Sequence, residues 1–166
     1  MKVLAVCGSA RKKGNTAMLL ESALEGAKRK GAETELVRLY SLRFTGCVSC
    51  FECKKIGGKS YGRCAVKDDL REVLDKVLEA DALILGTPVY FGGETGETRS
   101  FLERLLFPYA TYTPDYQCIF PKKTPTALFY TMNVDADGVR SFGYEAMMER
   151  TRGYMERIFG ACELFY

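Results

Sequence analysis

The sequence predicts an α/β fold: a three-layer sandwich in which helices cover both faces of a five-stranded parallel sheet, ordered 2-1-3-4-5. Three observations lead there. Short apolar runs of strand character alternate with stretches of helical periodicity along the 166 residues, the signature of βαβ units with right-handed crossovers. The first run, Val3–Val6, opens into a loop of small and basic residues, Gly8, Ser9, Arg11, Lys12, Lys13 and Gly14, which leads straight into a helix start at Asn15 and Thr16. Five runs with such a loop after the first fit one strand order, in which ligands bind at the carboxyl ends of the strands beside the topological switch point. Residues 1–166 read as one domain, with an insert at about 41–67 after the second strand. A chain of this length buries a sizeable core.

Lys2–Cys7 has no polar alternation, as expected of a strand buried on both faces. Asn15–Lys30 carries Leu20, Ala23, Leu24 and Ala27 at helical spacing, and Gly31 supplies a stop. Glu33–Leu39 mixes Leu36, Val37 and Leu39 with charged residues and reads as a more exposed second strand. Ser41–Lys67 has no period, four cysteines and four glycines; so long a stretch without regular structure in a compact domain points to function. Asp69 with Glu72 offers a capping box to the next helix, whose Leu70, Val73, Leu74, Val77 and Leu78 form an apolar stripe. Ala82–Gly86 is a third strand, Thr87–Glu97 a loop rich in glycine and aromatic residues, and Ser100–Leu106 a helix. Phe107–Pro125 is irregular, Thr126–Met132 a fourth strand, Ser141–Phe159 a helix and Cys162–Tyr166 a fifth strand. This order brings three loops to one edge: Gly8–Thr16, Thr87–Glu94 and Met132–Gly138.

Composition narrows the function classes. A net charge of +3 with scattered basic residues argues against a nucleic-acid partner. No apolar run reaches membrane-spanning length and the N-terminus lacks a signal-peptide layout, so no membrane partner and a cytoplasmic location are expected. The absence of histidine removes imidazole ligands and imidazole proton shuttles. Seven cysteines without a secretory signal argue against a disulfide framework and for metal or redox use of any clustered subset.

The Gly8–Thr16 loop has the makings of an anion site, because first-turn N–H groups lack helical partners and the helix dipole favours negative charge there. It lacks the G-x-G-x-x-G of dinucleotide folds. Five residues separate Gly8 from Gly14, and Asn15 stands where an NTPase loop has lysine. What remains suits a monophosphate: hydroxyls of Ser9 and Thr16, the amide of Asn15, loop N–H groups, and a charge-assisted contact from Arg11. The bland alternative is a turn that merely caps a helix. In Thr87–Gly93, Pro88 stiffens the strand exit, Gly92 and Gly93 permit close approach of a flat ligand, and Tyr90 and Phe91 offer apolar area.

At these residues the chain resembles a known family. Gly8-Ser9-Ala10-Arg11 with Gly14-Asn15-Thr16, then Thr87-Pro88-Val89-Tyr90-Phe91-Gly92, is similar to the NAD(P)H-dependent FMN reductases of the flavodoxin superfamily. Gly46-Cys47-Val48-Ser49-Cys50-Phe51-Glu52-Cys53, Cys64 and Asp68-Asp69 resemble the iron–sulfur flavoprotein branch. The resemblance covers nearly the whole chain and implies a flavodoxin-like fold. It implies FMN with its phosphate on Ser9, Arg11, Gly14, Asn15 and Thr16, and its isoalloxazine against Pro88, Val89, Tyr90, Phe91, Gly92 and Gly93; the strand order adds Met132 and Asn133 of the third loop as cofactor-binding candidates. It further implies a [4Fe–4S] cluster, an NAD(P)H or ferredoxin-like electron donor, a small-molecule acceptor such as a flavin or quinone, and a homodimer or homotetramer. Ten residues separate Cys53 from Cys64, a longer gap than in that branch.

Cys47, Cys50 and Cys53 have the C-x2-C-x2-C spacing that presents three thiolates to one group, with Cys64 as a fourth. The longer return loop adds only about 0.6 kcal/mol of closure cost. An all-cysteine zinc site and a bare redox thiol set remain open. Cys7, Cys118 and Cys162 read as packing residues. Among whole-chain functions, a flavodoxin-like electron carrier without its own substrate and a zinc- or thiol-stabilised interaction module stand beside the FMN-dependent oxidoreductase.

Overall fold

The computed structural model describes residues 1–115 and 117–166. Five parallel strands, β1 (Lys2–Cys7), β2 (Glu33–Arg38), β3 (Ala82–Tyr90), β5 (Thr126–Thr131) and β6 (Cys162–Phe165), lie in the order β2-β1-β3-β5-β6. This is the predicted flavodoxin-like order, extended by a two-residue strand, β4 (Gly93–Glu94), antiparallel to β3. The register is continuous: Val3–Cys7 pairs with Ala82–Gly86, and Leu83–Pro88 with Thr126–Thr131.

β1 is buried at five of its six positions, and its alternation serves two cores. Leu4 and Val6 join the larger core with Leu83, Leu85 and Leu128 and the stripes of helices α2 (Leu70–Glu79), α3 (Gly96–Leu106) and α5 (Tyr144–Phe159). Val3, Ala5 and Cys7 face α1 (Asn15–Arg29) through Ala17, Leu20 and Leu24. Gly31 ends α1 as expected, with φ of +82°. The N–H of Ala32 reaches the carbonyl of Ala27 and that of Gly31 reaches Lys28, a Schellman termination.

Four expectations are corrected. Thr87–Tyr90 is strand rather than loop, because β5 continues alongside Thr87 and Pro88 and β4 pairs with Val89 and Tyr90. The carbonyl of Gly86 faces β1 and accepts from Gly8 N–H at 2.7 Å. Pro88, two residues on, points to that same side, where β1 has already ended, so its missing N–H breaks no ladder. The Asp69–Glu72 capping box does not form. Asp69 accepts from Arg43 N–H at 2.7 Å and Asp68 from Leu70 N–H at 3.2 Å, both recruited to the base of the insert. α3 starts at Gly96, four residues early, because Thr95 accepts from Thr98 N–H and caps it. The final helix, expected from Ser141, starts as α5 at Tyr144 after Gly143, which has φ of +71°, and a short helix, α4 (Ala136–Ser141), precedes it where a loop was expected. No helix among the described residues is long and apolar enough to cross a membrane.

Candidate functional site

The three predicted loops meet at the carboxyl edge of the sheet. Gly8 is tied to β3 by its N–H on Gly86, and its carbonyl accepts from the Thr95 hydroxyl at 2.8 Å. Thr16 is buried and shares a 2.7 Å hydrogen bond with Thr131 at the end of β5, so its hydroxyl anchors α1 to the sheet. Ser9 is buried, its Oγ accepting from Arg11 N–H at 3.2 Å. Arg11 and Asn15 are exposed and Gly14 half-buried. α3 and α4 have side-chain caps, Thr95 and Asp135, whereas the N-cap of α1 is Gly14, which has none to offer. First-turn N–H groups of α1 are thus left to whatever binds beside the loop.

Thr87, Thr95 and Thr98 form a buried knot under this loop, with no local pattern in the chain to announce it. Thr98 donates to Thr87 Oγ1 at 3.1 Å and shares a 2.8 Å bond with Thr95. A Cβ at Gly8 would meet Thr98 Oγ1 at 1.8 Å, which explains why glycine stands there.

The Pro88–Gly93 segment is a two-residue hairpin. Tyr90 pairs with Gly93, and the turn residues Phe91 and Gly92 have φ of +50° and +78°, the backbone of a type I′ turn. Phenylalanine at such an angle is strained, and its ring is fully exposed (110%). Tyr90 is also exposed, so the aromatic area noted in the sequence stands free at the rim. The hairpin is held from beneath by Glu94, whose carboxylate accepts from Tyr130 at 2.8 Å and Thr151 at 2.6 Å. Val89 pairs with Glu94, and Met132, half-buried, packs on the larger core. Asn133 is exposed beyond the end of β5. Beside the hairpin, burial, followed by the Glu97 carboxylate, pushes the Tyr40 phenol up to about 12.

The insert brings its four cysteines together. Cys47, Cys50, Cys53 and Cys64 line one small apolar pocket, closed by Phe51, Phe107 and Arg104 among others. Burial raises the Cys53 thiol above its usual value; Lys54 opposes this, and Cys50, Cys64 and Cys47 add to it as like-charge neighbours. Ser49 and Phe51, between the first three cysteines, both have positive φ, +52° and +58°. Such a backbone turns N–H groups inward and makes concavities that hold anionic groups, iron–sulfur clusters among them. Lys54 clamps the loop to the end of α3, donating to the carbonyls of Phe107 and Ala110 and lying 4.2 Å from the Phe107 ring centroid. Among the described residues, no three Cys, Asp or Glu groups are disposed to hold a single metal ion. A cluster spreads its thiolates more widely than one ion does, because iron and sulfide lie between them. The donor set, four thiols on one pocket, suits the larger group.

Arg104 is the residue most easily overlooked in the sequence. It sits on the apolar stripe of α3, fully buried, and pairs with Asp68 at 2.5 Å. Burial opposes the Asp68 carboxylate, but the guanidinium and the N–H groups of Thr45 and Leu70 outweigh it and hold the carboxyl below its usual range. Of the cysteines read as packing residues, Cys7 and Cys162 are buried, but Cys118 is exposed on a bridge to Ala110.

Comparison with known proteins agrees with this architecture. Over 104 residues the chain is 39% identical to an iron-sulfur flavoprotein of Methanocaldococcus jannaschii, covering 63% of this chain and 51% of that one. It is 41% identical over 104 residues to an iron-sulfur flavoprotein of Archaeoglobus fulgidus, covering 63% and 48%. The chain spans about half the length of the curated relatives it matches. Among solved structures, NAD(P)H:quinone oxidoreductase from Methanothermobacter marburgensis superposes with a TM-score of 0.75 at 18% identity, over 99% of this chain and 84% of that one. Azoreductase from Bacillus anthracis superposes with a TM-score of 0.72 at 20% identity, over 98% and 84%. Residues 1–125 match the profile of the NADPH-dependent FMN reductases, and the chain belongs to that family.

Proposed function

We propose that this protein is a cytoplasmic FMN-dependent oxidoreductase that also carries a [4Fe–4S] cluster. It would be reduced by NAD(P)H or a ferredoxin-like protein and pass electrons to a flavin, quinone or similar small acceptor, as a homodimer or homotetramer. The observation that carries this is the meeting, at one sheet edge, of the side-chain-free N-terminus of α1 and the exposed β3–β4 hairpin. The family and the four-cysteine pocket support it.

Loop N–H groups, the Ser9 hydroxyl, Arg11 and Asn15 would bind the phosphate, with Gly14 allowing close approach and Thr16 fixing the helix to β5. Pro88, Val89, Tyr90, Phe91, Gly92 and Gly93 would orient the ring, with backbone donors of the hairpin placed to stabilise negative charge on it. Met132 and Asn133 would bound it from the third loop. Cys47, Cys50, Cys53 and Cys64 would hold the cluster. When bound, the flavin supplies hydride chemistry and the cluster single-electron steps. With no histidine in the chain, protons would come from solvent or from a tyrosine.

Arg11→Ala tests the phosphate assignment. Loss of one exposed charge-assisted contact should weaken FMN about 3- to 10-fold while leaving riboflavin affinity unchanged, read by fluorescence titration. Equal losses for both ligands would show that the loop does not hold a phosphate.

A further inference from the structure

One guanidinium closes the base of the cysteine insert. From α3, fully buried, Arg104 donates from Nη1 to the carbonyl of Thr45 at 3.0 Å and to Asp68, and from Nη2 to the carbonyl of Val66 at 3.4 Å. The two carbonyls lie on both arms of the insert, two residues before Cys47 and two after Cys64, and Asp68 follows two residues further on. Its Nε–H goes to Cys64 Sγ at 3.3 Å. A planar guanidinium donating in four fixed directions is what this geometry requires; lysine would supply the charge but not the set of directions.

We infer that Arg104 is a positioning residue for Cys64: it fixes the fourth thiolate through an N–H···S hydrogen bond and thereby raises the reduction potential of the group the four cysteines hold. This rests on the proposed cluster. Each electron added to a cluster increases negative charge on its thiolates, and donors to sulfur favour the reduced form. Asp68 and the two carbonyls serve a different purpose, keeping the guanidinium in place and the arms of the insert together.

The test uses the full chain, purified anaerobically with its iron, with iron and sulfide content, electron paramagnetic resonance and a redox titration as readouts. Arg104→Lys should retain iron and sulfide, shift the cluster potential to a more negative value and alter the resonance spectrum. Asp68→Asn, which leaves Nε on the sulfur, should not lower the potential. Should Arg104→Lys fail to fold, Arg104→Gln combined with Asp68→Asn leaves no buried charge unpaired, and should lie below Asp68→Asn alone. An unmoved potential in an iron-loaded Arg104 variant, or an equal fall in Asp68→Asn, would overturn the role of Arg104 and leave the cluster standing. Wild-type protein that carries no iron after reconstitution would overturn the cluster, and the inference with it.

Discussion

Gly8→Ala probes how tightly the Gly8–Thr16 loop is built onto the threonine knot. The backbone at Gly8 is outside the left-handed region, so alanine meets no torsional obstacle there. Space is the obstacle: the new methyl would stand 1.8 Å from Thr98 Oγ1 and 3.2 Å from Thr98 Cβ. Thr98 must rotate or α3 must retreat, which as overpacking costs about 1–3 kcal/mol. Rotation also breaks the hydroxyl bonds of Thr98 to Thr95 and Thr87, at about 1 kcal/mol each. The total is about 3–5 kcal/mol, a fall of roughly 10 °C in Tm for a chain of this size. Thr98→Ala alone removes the hydroxyl without the clash and should lose about 1–2 kcal/mol. In the double variant the 1.8 Å contact is gone and only the 3.2 Å one remains, so its loss should fall short of the sum by about 2 kcal/mol. Denaturant unfolding of the four proteins measures the cycle. Additive losses would show that Gly8 and Thr98 do not press on each other, and the account of the knot would fail.

Glu94→Ala strips the shared acceptor from two buried hydroxyls, Tyr130 and Thr151, and should lose about 2–4 kcal/mol together with FMN affinity. Glu94→Gln keeps an acceptor oxygen and should lose less than half of that, as denaturant unfolding and FMN titration can measure. Asp68 bears on acid stability. Its folded carboxyl titrates below the ordinary value, so the stability from the Arg104 pair is fully present above about pH 4 and is lost as pH falls through the lowered value. Asp68→Asn should remove that acid-limb dependence from a series of unfolding curves; an unchanged acid limb would mean the pair does not set it. Cys50→Ala should abolish iron while FMN remains bound, measured by metal analysis and flavin release; retained iron would remove Cys50 from the ligand set.

Much of this arrangement is legible in the sequence where local chemistry decides. Lys2–Cys7 is apolar without alternation because both sheet faces are covered, and Gly31 stops α1 through a backbone angle that side chains resist. The loops at Gly8, Thr87 and Met132 converge because strand order dictates it. Elsewhere a distant partner decided. Pro88 and the glycines after it read as loop, yet β5 draws Thr87 and Pro88 into the sheet and β4 extends the strand to Tyr90. Asp69 looks like a cap until the insert claims it through Arg43. Arg104 has partners from Thr45 to Asp68, far away along the chain, and no local pattern announces a guanidinium serving a sulfur. The spacing of Cys47, Cys50 and Cys53 was visible, whereas the loop that gathers Cys64 beside them is a property of the folded insert.

The central claim is that one chain holds FMN on the Gly8–Thr16 loop and an iron–sulfur cluster on Cys47, Cys50, Cys53 and Cys64. The visible spectrum of anaerobically purified protein tests it most directly. Flavin bands over a broad brown absorption are expected, with both bleaching on reduction. A protein that takes up no FMN, or no iron, would contradict it.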